Sequence, residues 1–241
     1  MNTIYDKNIS LEEPGHKYIL STNPSIQFRS ITEIVSNYFE PFNKYIIAEK
    51  LVTTNIKYMD RSAEELIGEW DAARDHGTKV HKEIELYLQN DKDPSEEKAK
   101  KGIDWLKKYQ MKSDIEFYSE IIIYSKELKI AGSIDIIAYD KNIDAYEIID
   151  WKTSKNIEML SFGRKMGIKP ITKNLMDCNF VHYSLQLSLY RYFLEEFYGL
   201  KINNQLIAHL NEEKCTAYVG HYLKKEVKDI LMDQKNKKDK K

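Results

Sequence analysis

The stretch GSIDIIAYDKNIDAYEIIDWKTSK, Gly132 to Lys155, reads as two isoleucine-rich strands joined by a polar turn. Runs of β-branched and aromatic residues bounded by Asp, Asn and Lys have the composition of a β-hairpin. Set among the isoleucines are Asp135, Asp150 and Lys152, although an unpaired buried charge is costly. Side chains alternate along a strand, so Tyr146, Ile148, Asp150 and Lys152 share one face while Glu147, Ile149 and Trp151 take the other. A turn centred between Lys141 and Asn142 sets Asp135 opposite Ile148, diagonal to Asp150 and on its face. A half-step shift of that turn would send Asp135 to the other face.

Working outward, IEFYSEIIIYS (residues 115–125) supplies a third strand and completes an antiparallel meander. A loop of about twenty-five residues follows the hairpin, a length that is uncommon without a function or mobility. Beyond it, NFVHYSLQLSLYRYFLEEFYG has helical spacing, with Asn179 as N-cap and Gly199 as stop. NQLIAHLN and CTAYVGHYL give two more strands. Upstream, Ser30 with Glu33 and Ser62 with Glu65 have capping-box spacing. The second opens a helix to about Asn90 with a break at Gly77, and Ser95 caps a shorter helix after it.

The order is helices, three strands, helix, two strands. It predicts an α/β fold in which a central sheet carries helices on its faces. Residues 1–69 are read as an N-terminal helical lobe, 70–232 as the core, and 233–241 as a disordered Lys/Asp tail.

A chain of 241 residues with 42% hydrophobic and 31% charged residues can bury a substantial core. No stretch approaches the roughly 20 apolar residues of a membrane span. The opening MNTIYDKNIS lacks the pattern of a signal peptide, so an intracellular, cytoplasmic setting is expected. Two cysteines, Cys178 and Cys215, are too few for a zinc or iron–sulfur framework and are expected as free thiols. With a net charge of −1, any nucleic-acid surface has to arise by local clustering. Lys152, Lys155, Arg164, Lys165, Lys169 and Lys173 cluster against Glu158 alone; such a run is either a solvated loop or a phosphate track.

Two carboxylates converging on one face repel each other unless a cation lies between them. Magnesium takes oxygen ligands and keeps several waters, leaving room for a phosphate. A lysine two positions along can then orient the attacking water and stabilise charge on a phosphoryl oxygen. The bland alternative is a wet sheet face bearing a weak Asp150–Lys152 surface pair.

These residues match a family pattern. GSID, followed fifteen positions later by the DWKTS that starts at Asp150, resembles the PD-(D/E)XK nuclease superfamily, especially its RecB-like exonuclease branch. HGTKVHKEIELYL resembles the branch's helix ahead of the sheet, SEIIIYSKELKIAGSID carries an acidic residue where the branch often has one, and SLQLSLY has its Q-x-x-x-Y spacing. The likeness covers roughly residues 70–220; Asp150 stands where many members carry glutamate, which the family also admits. The resemblance implies a restriction-endonuclease-like mixed central sheet flanked by helices. It implies Asp135 and Asp150 as ligands of Mg2+ or Mn2+, joined by the Trp151 carbonyl and His81, with Glu120 as a further or second-metal ligand. Lys152 would position the nucleophilic water, and Gln186 and Tyr190 would support the site or the DNA backbone. Thr153, Ser154, Lys155, Arg164, Lys165, Lys169 and Lys173 would contact phosphates. Tyr38, Phe39, Phe42 and Tyr45 either stack on single-stranded bases or belong to the core.

The expectation is therefore a metal-dependent deoxyribonuclease with DNA as its partner. It would be an exonuclease on DNA ends or single strands, in recombination, repair or replication, in a bacterial or phage-infected cell. A replication or recombination protein partner is left unidentified. An endonuclease on the same site and a non-catalytic DNA-binding protein are the alternatives.

Overall fold

In the computed structural model, residues 4–238 are described. The meander stands where its period places it: β4 (Ile115–Ser125), β5 (Ile130–Asp140) and β6 (Ala145–Lys152). β4 and β5 pair antiparallel from end to end except at Glu120 and Asp135. The other edge of β5 is shared, by antiparallel β6 at one end and by the short parallel strand β3 (Arg29–Ser30) at the other. β6 then pairs parallel with β7 (Ile202–Leu210), and β7 antiparallel with β8 (Cys215–Val219). The result is a mixed six-stranded sheet.

Helices cover both faces, because the sheet is apolar on both. On one side lie α1 (Ile31–Ser36), α5 (Asn179–Glu196) and α6 (Lys224–Lys238), which bury Ile34, Leu187, Phe193 and Ile230 against Ile123, Ile134 and Ile148. On the other, α3 (Ala63–Asn90) and α4 (Glu97–Gln110) bury Val80, Ile84 and Ile103 against Ile136, Ile149 and Trp151. Each such fully buried side chain contributes about 1.5–3 kcal/mol.

Several local expectations are corrected. The hairpin pairs Ile136 with Ile149 through Asp140 with Ala145, so its turn is centred between Asn142 and Ile143. That is one whole residue further along, which brings Asp135 and Asp150 into the same register position. α3 runs through Gly77 without a break. The glycine is there for a close approach: a Cβ on Gly77 would stand 2.6 Å from Thr153 Oγ1. Ser62 and Glu65 do form a reciprocal capping box at the start of this helix. Ser95 does not cap α4; the Glu83 carboxylate on α3 accepts from the Ser95 and Glu96 amides and from Ser95 Oγ. Asn179 is the first residue of α5 instead of its cap, and its side chain ties down the preceding loop at Glu158 N and Asn156 O.

The N-terminal segment is not wholly helical. A hairpin of β1 (Ile9–Glu12) and β2 (Lys17–Leu20) precedes β3, and α1 is part of the main core. The β1–β2 hairpin packs Ile9, Tyr18 and Leu20 against Ala131 of β5, and α2 (Lys44–Thr54) with the first half of α3 forms another small cluster, around Ala48, Ala63 and Leu66. The tail reading from residue 233 is also corrected, since α6 is helical to Lys238. Gln234 is buried there, accepting from Arg29 and donating to the Tyr38 hydroxyl. Residues 239–241 of that predicted tail lie outside the described residues. Both cysteines are free thiols.

Candidate active site

The alternation of β5 skips a step at Asp135. Ile130, Ile134 and Ile137 face one core, whereas Ile136 and Ala138 face the other. β4 skips at the same level: Tyr118 and Ile121 face the first core, and between them Glu120 has φ +53°. The β5–β6 ladder ends at the Ile136–Ile149 pair. Beyond it the Trp151 amide donates to Asp135 Oδ2 at 2.7 Å. A side-chain carboxylate thus replaces a strand carbonyl, and the sheet opens into a cleft of about 510 Å3.

Asp150 and Lys152 point from β6 toward α5. Asp150 is 2% exposed, and its Oδ2 lies 2.6 Å from Lys152 Nζ. That contact is an ion pair off the hydrogen-bonding direction, so Oδ2 accepts no hydrogen bond from the protein. Oδ1 accepts from Gln186 Nε2 at 3.2 Å, and the same amide nitrogen lies 3.1 Å from the Tyr190 hydroxyl. The Lys152 ammonium sits 4.5 Å from the centre of the Tyr183 ring. On the opposite wall, His81 Nδ1 of α3 is 3.4 Å from Asp135 Oδ2. Ser133 donates to Glu120 at 2.9 Å.

Burial and charge work against each other here. For Asp150, burial wins and raises the carboxyl above its ordinary range despite Lys152. For Asp135, burial is outweighed by His81, by Lys152 and by the Trp151 amide, and the carboxyl is lowered. Burial opposes the charged forms of Lys152 and His81, yet the two aspartates keep both pKa values raised. Glu120 is pushed up to about 7 by burial and by Asp135.

Of the residues expected from sequence, His81, Glu120, Asp135, Asp150, Trp151, Lys152, Thr153, Ser154, Gln186 and Tyr190 all line this cleft. Lys155, Arg164, Lys165, Lys169 and Lys173 do not. Their loop folds back on the end of α1: Lys165 pairs with Glu40, the Lys169 ammonium lies 4.4 Å from the Tyr38 ring centre, and Thr172 donates to the Tyr38 carbonyl. Tyr38 and Phe39 are buried, which assigns them to the core, while Phe42 and Tyr45 are exposed. Residues missed from sequence are Arg74 and Thr78 on α3, Ser133, Tyr183, and the wall supplied by the β1–β2 hairpin, including His16 and Tyr18. Arg74, Thr78 and His81 stand at i, i+4 and i+7, a helical stripe that the spacing does contain.

Among the described residues no three His, Cys, Asp or Glu side chains converge as a ready-made metal cluster. The donor set still fits a hard divalent ion. Magnesium needs only one or two carboxylates and retains waters, and Asp150 Oδ2 is a buried carboxylate oxygen with no hydrogen bond to the protein. Asp135 and Asp150 would hold the ion, with the Trp151 carbonyl next in sequence to Asp150.

No protein family model matches the chain. A 99-residue stretch is 27% identical to an ATP-dependent helicase/nuclease subunit from Carboxydothermus hydrogenoformans, covering 41% of this chain and 7% of that protein. Two crystal structures superpose with a TM-score of 0.36. One, SSO0001, is 12% identical over 86% of this chain and 76% of its own. The other, named as a presumed exonuclease of Eubacterium rectale, is 11% identical over 88% of this chain and 79% of its own. Among the described residues no helix is long and apolar enough to cross a membrane.

Proposed function

We propose that the chain is a metal-dependent deoxyribonuclease, acting as an exonuclease on DNA ends or single strands. The observation that carries this reading is the buried Asp150–Lys152 ion pair beside Asp135, at the floor of an open cleft where two strands part. A surface pair would be exposed and worth little; here Asp150 is 2% exposed and desolvated. The name of the partial relative includes a nuclease, which agrees with the reading.

Asp135 and Asp150 would hold Mg2+ or Mn2+, which supplies a water of lowered pKa and neutralises charge on the scissile phosphate. Held 2.6 Å from Asp150, the Lys152 ammonium would act as a hydrogen-bond donor, orienting the attacking water and stabilising a non-bridging phosphoryl oxygen. Gln186 fixes the Asp150 carboxylate by donating to its Oδ1, and the Tyr190 hydroxyl accepts from the same amide nitrogen. Thr153 and Ser154 line the cleft wall and would contact the phosphate. The setting would be recombination, repair or replication inside a cell, with DNA as the partner.

The test is degradation of end-labelled linear single- and double-stranded DNA beside a covalently closed circle, with Mg2+, Mn2+ or chelator, for wild type and Lys152→Ala. Metal-dependent loss of linear DNA that Lys152→Ala abolishes, with the circle intact, supports the exonuclease. A cut circle replaces it with an endonuclease. DNA binding without cleavage under any of these conditions rejects the hydrolase.

A further inference from the structure

The lobe of α2 and the first half of α3 has its own apolar cluster, apart from both faces of the sheet. It also leaves large apolar side chains in solvent: Phe42 is 67% exposed, Tyr45 64% and Ile46 66%. Phe42 is held in place by the Trp70 ring, with centroids 5.4 Å apart. Lys44, between the two aromatics, lies 5.6 Å from the Tyr45 ring centre and pairs with Asp71 at 2.6 Å. Asp71 in turn accepts from Arg74, and Arg74 lines the cleft. The exposed aromatics are thus joined to the cleft through one continuous set of contacts.

Arg74 is fixed in a particular way. Its Nε and Nη2 donate to Asp75 and its Nη1 to Asp71. A guanidinium has five N–H donors, so one on Nη1 and one on Nη2 remain uncommitted. These two N–H groups remain to donate to the oxygens of a phosphate. One and two turns further along α3 stand Thr78 and His81, the latter facing Asp135. At 1.5 Å per residue, Arg74 is about 10 Å along the helix from His81, far enough to reach a phosphate other than the one being cleaved.

We infer that this lobe is a wall for a single nucleic-acid strand: Phe42 and Tyr45 stack on unpaired bases, and Arg74 holds a phosphate at the cleft mouth. The inference deepens the nuclease reading and rests on it for the identity of the ligand. Aromatic faces beside cations suit unpaired bases, which stack without regard to sequence. Inside a duplex each base is stacked between its neighbours and presents no free face.

The experiment is fluorescence anisotropy of a labelled thymidine oligonucleotide with Mg2+ in the Lys152→Ala background, repeated with otherwise wild-type protein in chelator. The double variant Phe42→Ala/Tyr45→Ala is expected to raise Kd about tenfold or more, and Phe42→Trp is expected to preserve it. Arg74→Gln is expected to lower the slope of log K against log salt by about 0.7. Unchanged Kd and slope in all variants would overturn the inference. So would variants that change only the sedimentation of the protein, which would make this face a contact between copies of the chain. If wild type hydrolyses neither DNA nor bis(p-nitrophenyl) phosphate while the variants still weaken oligonucleotide binding, the wall stands and the hydrolase reading falls.

Discussion

The Tyr190 ring lies directly over Gly132: a Cβ at position 132 would stand 2.6 Å from Tyr190 Cε1 and 3.0 Å from Ile31 Cδ1. The glycine of GSID is therefore a seat for the tyrosine of SLQLSLY, two motifs fifty-eight residues apart in sequence. Gly132→Ala is expected to overpack this contact, at a cost of about 1–3 kcal/mol, and to displace Gln186 from Asp150. Tyr190→Phe keeps the ring and loses only the hydroxyl near Gln186. It should leave the fold intact and weaken metal binding by about tenfold, the low end for a residue supporting a ligand. Urea denaturation and metal titration of the two variants separate packing from support.

Lys152 is expected to matter for the chemical step more than for binding. It is pinned between Asp150 and the Tyr183 ring, so a replacement cannot reach the same point by a different rotamer. Lys152→Ala should lower kcat on DNA by about 10²–10³, the usual loss when one positioned donor is removed. The oligonucleotide Kd should change little. Lys152→Arg is not a rescue, since a planar guanidinium replaces a compact ammonium beside an aromatic ring. Single-turnover cleavage together with anisotropy measures both quantities.

A divalent ion that binds the folded chain alone must stabilise it, by about 2.7 kcal/mol at a hundred times Kd. Thermal melts with Mg2+ or Mn2+ should therefore shift upward in wild type and return with chelator. Asp150→Asn should abolish that response. It also leaves the Lys152 ammonium beside an uncharged partner in a buried site, and breaking a buried pair in this way costs about 3–5 kcal/mol. Asp150→Asn/Lys152→Met should recover part of that stability without recovering the metal response. Recovery of both would remove Asp150 from the ligand set.

How much of this was legible can be traced residue by residue. The meander announced itself through three Ile- and Tyr-rich runs separated by short polar turns, and the nearness of Asp135 to Asp150 followed from the hairpin even though its turn lay one residue further on. What parity could not reveal is the paired break at Glu120 and Asp135, where both strands skip a step and the cleft opens. The β1–β2 hairpin was hidden by its shortness, four residues a strand, and by a preference for helices in the surrounding sequence. α6 was hidden by lysine: its buried stripe is Val227, Ile230, Leu231 and Gln234, sparse apolar positions in a charged segment. Arg74 looked like one more charge on a solvated helix, and only the path of α3 past the sheet shows that its stripe with Thr78 and His81 faces the cleft. Of the cations of the long loop, Lys165 pairs with Glu40 and Lys169 lies against the Tyr38 ring, contacts that clustering in sequence does not show.

Glu195 gives a pH prediction that is independent of any metal. At the end of α5 its carboxylate accepts from Arg191 Nε at 2.7 Å and from the Tyr222 hydroxyl at 2.6 Å, which ties α5 to the segment after β8. Burial would raise its pKa, but the Tyr222 and Arg191 hydrogen bonds outweigh burial and hold it below the usual carboxylate value. A carboxyl lowered on folding adds stability above its unfolded pKa, and that stability is lost as pH falls through the folded one. Wild type should therefore exceed Glu195→Gln in urea midpoint at pH 7, and the two curves should draw together below about pH 4.3, the unperturbed glutamate value. Arg191 would then keep its bond to the Ile202 carbonyl in both proteins. A constant difference between the two midpoints from pH 7 down to pH 3 would show that the carboxylate charge contributes nothing to this joint.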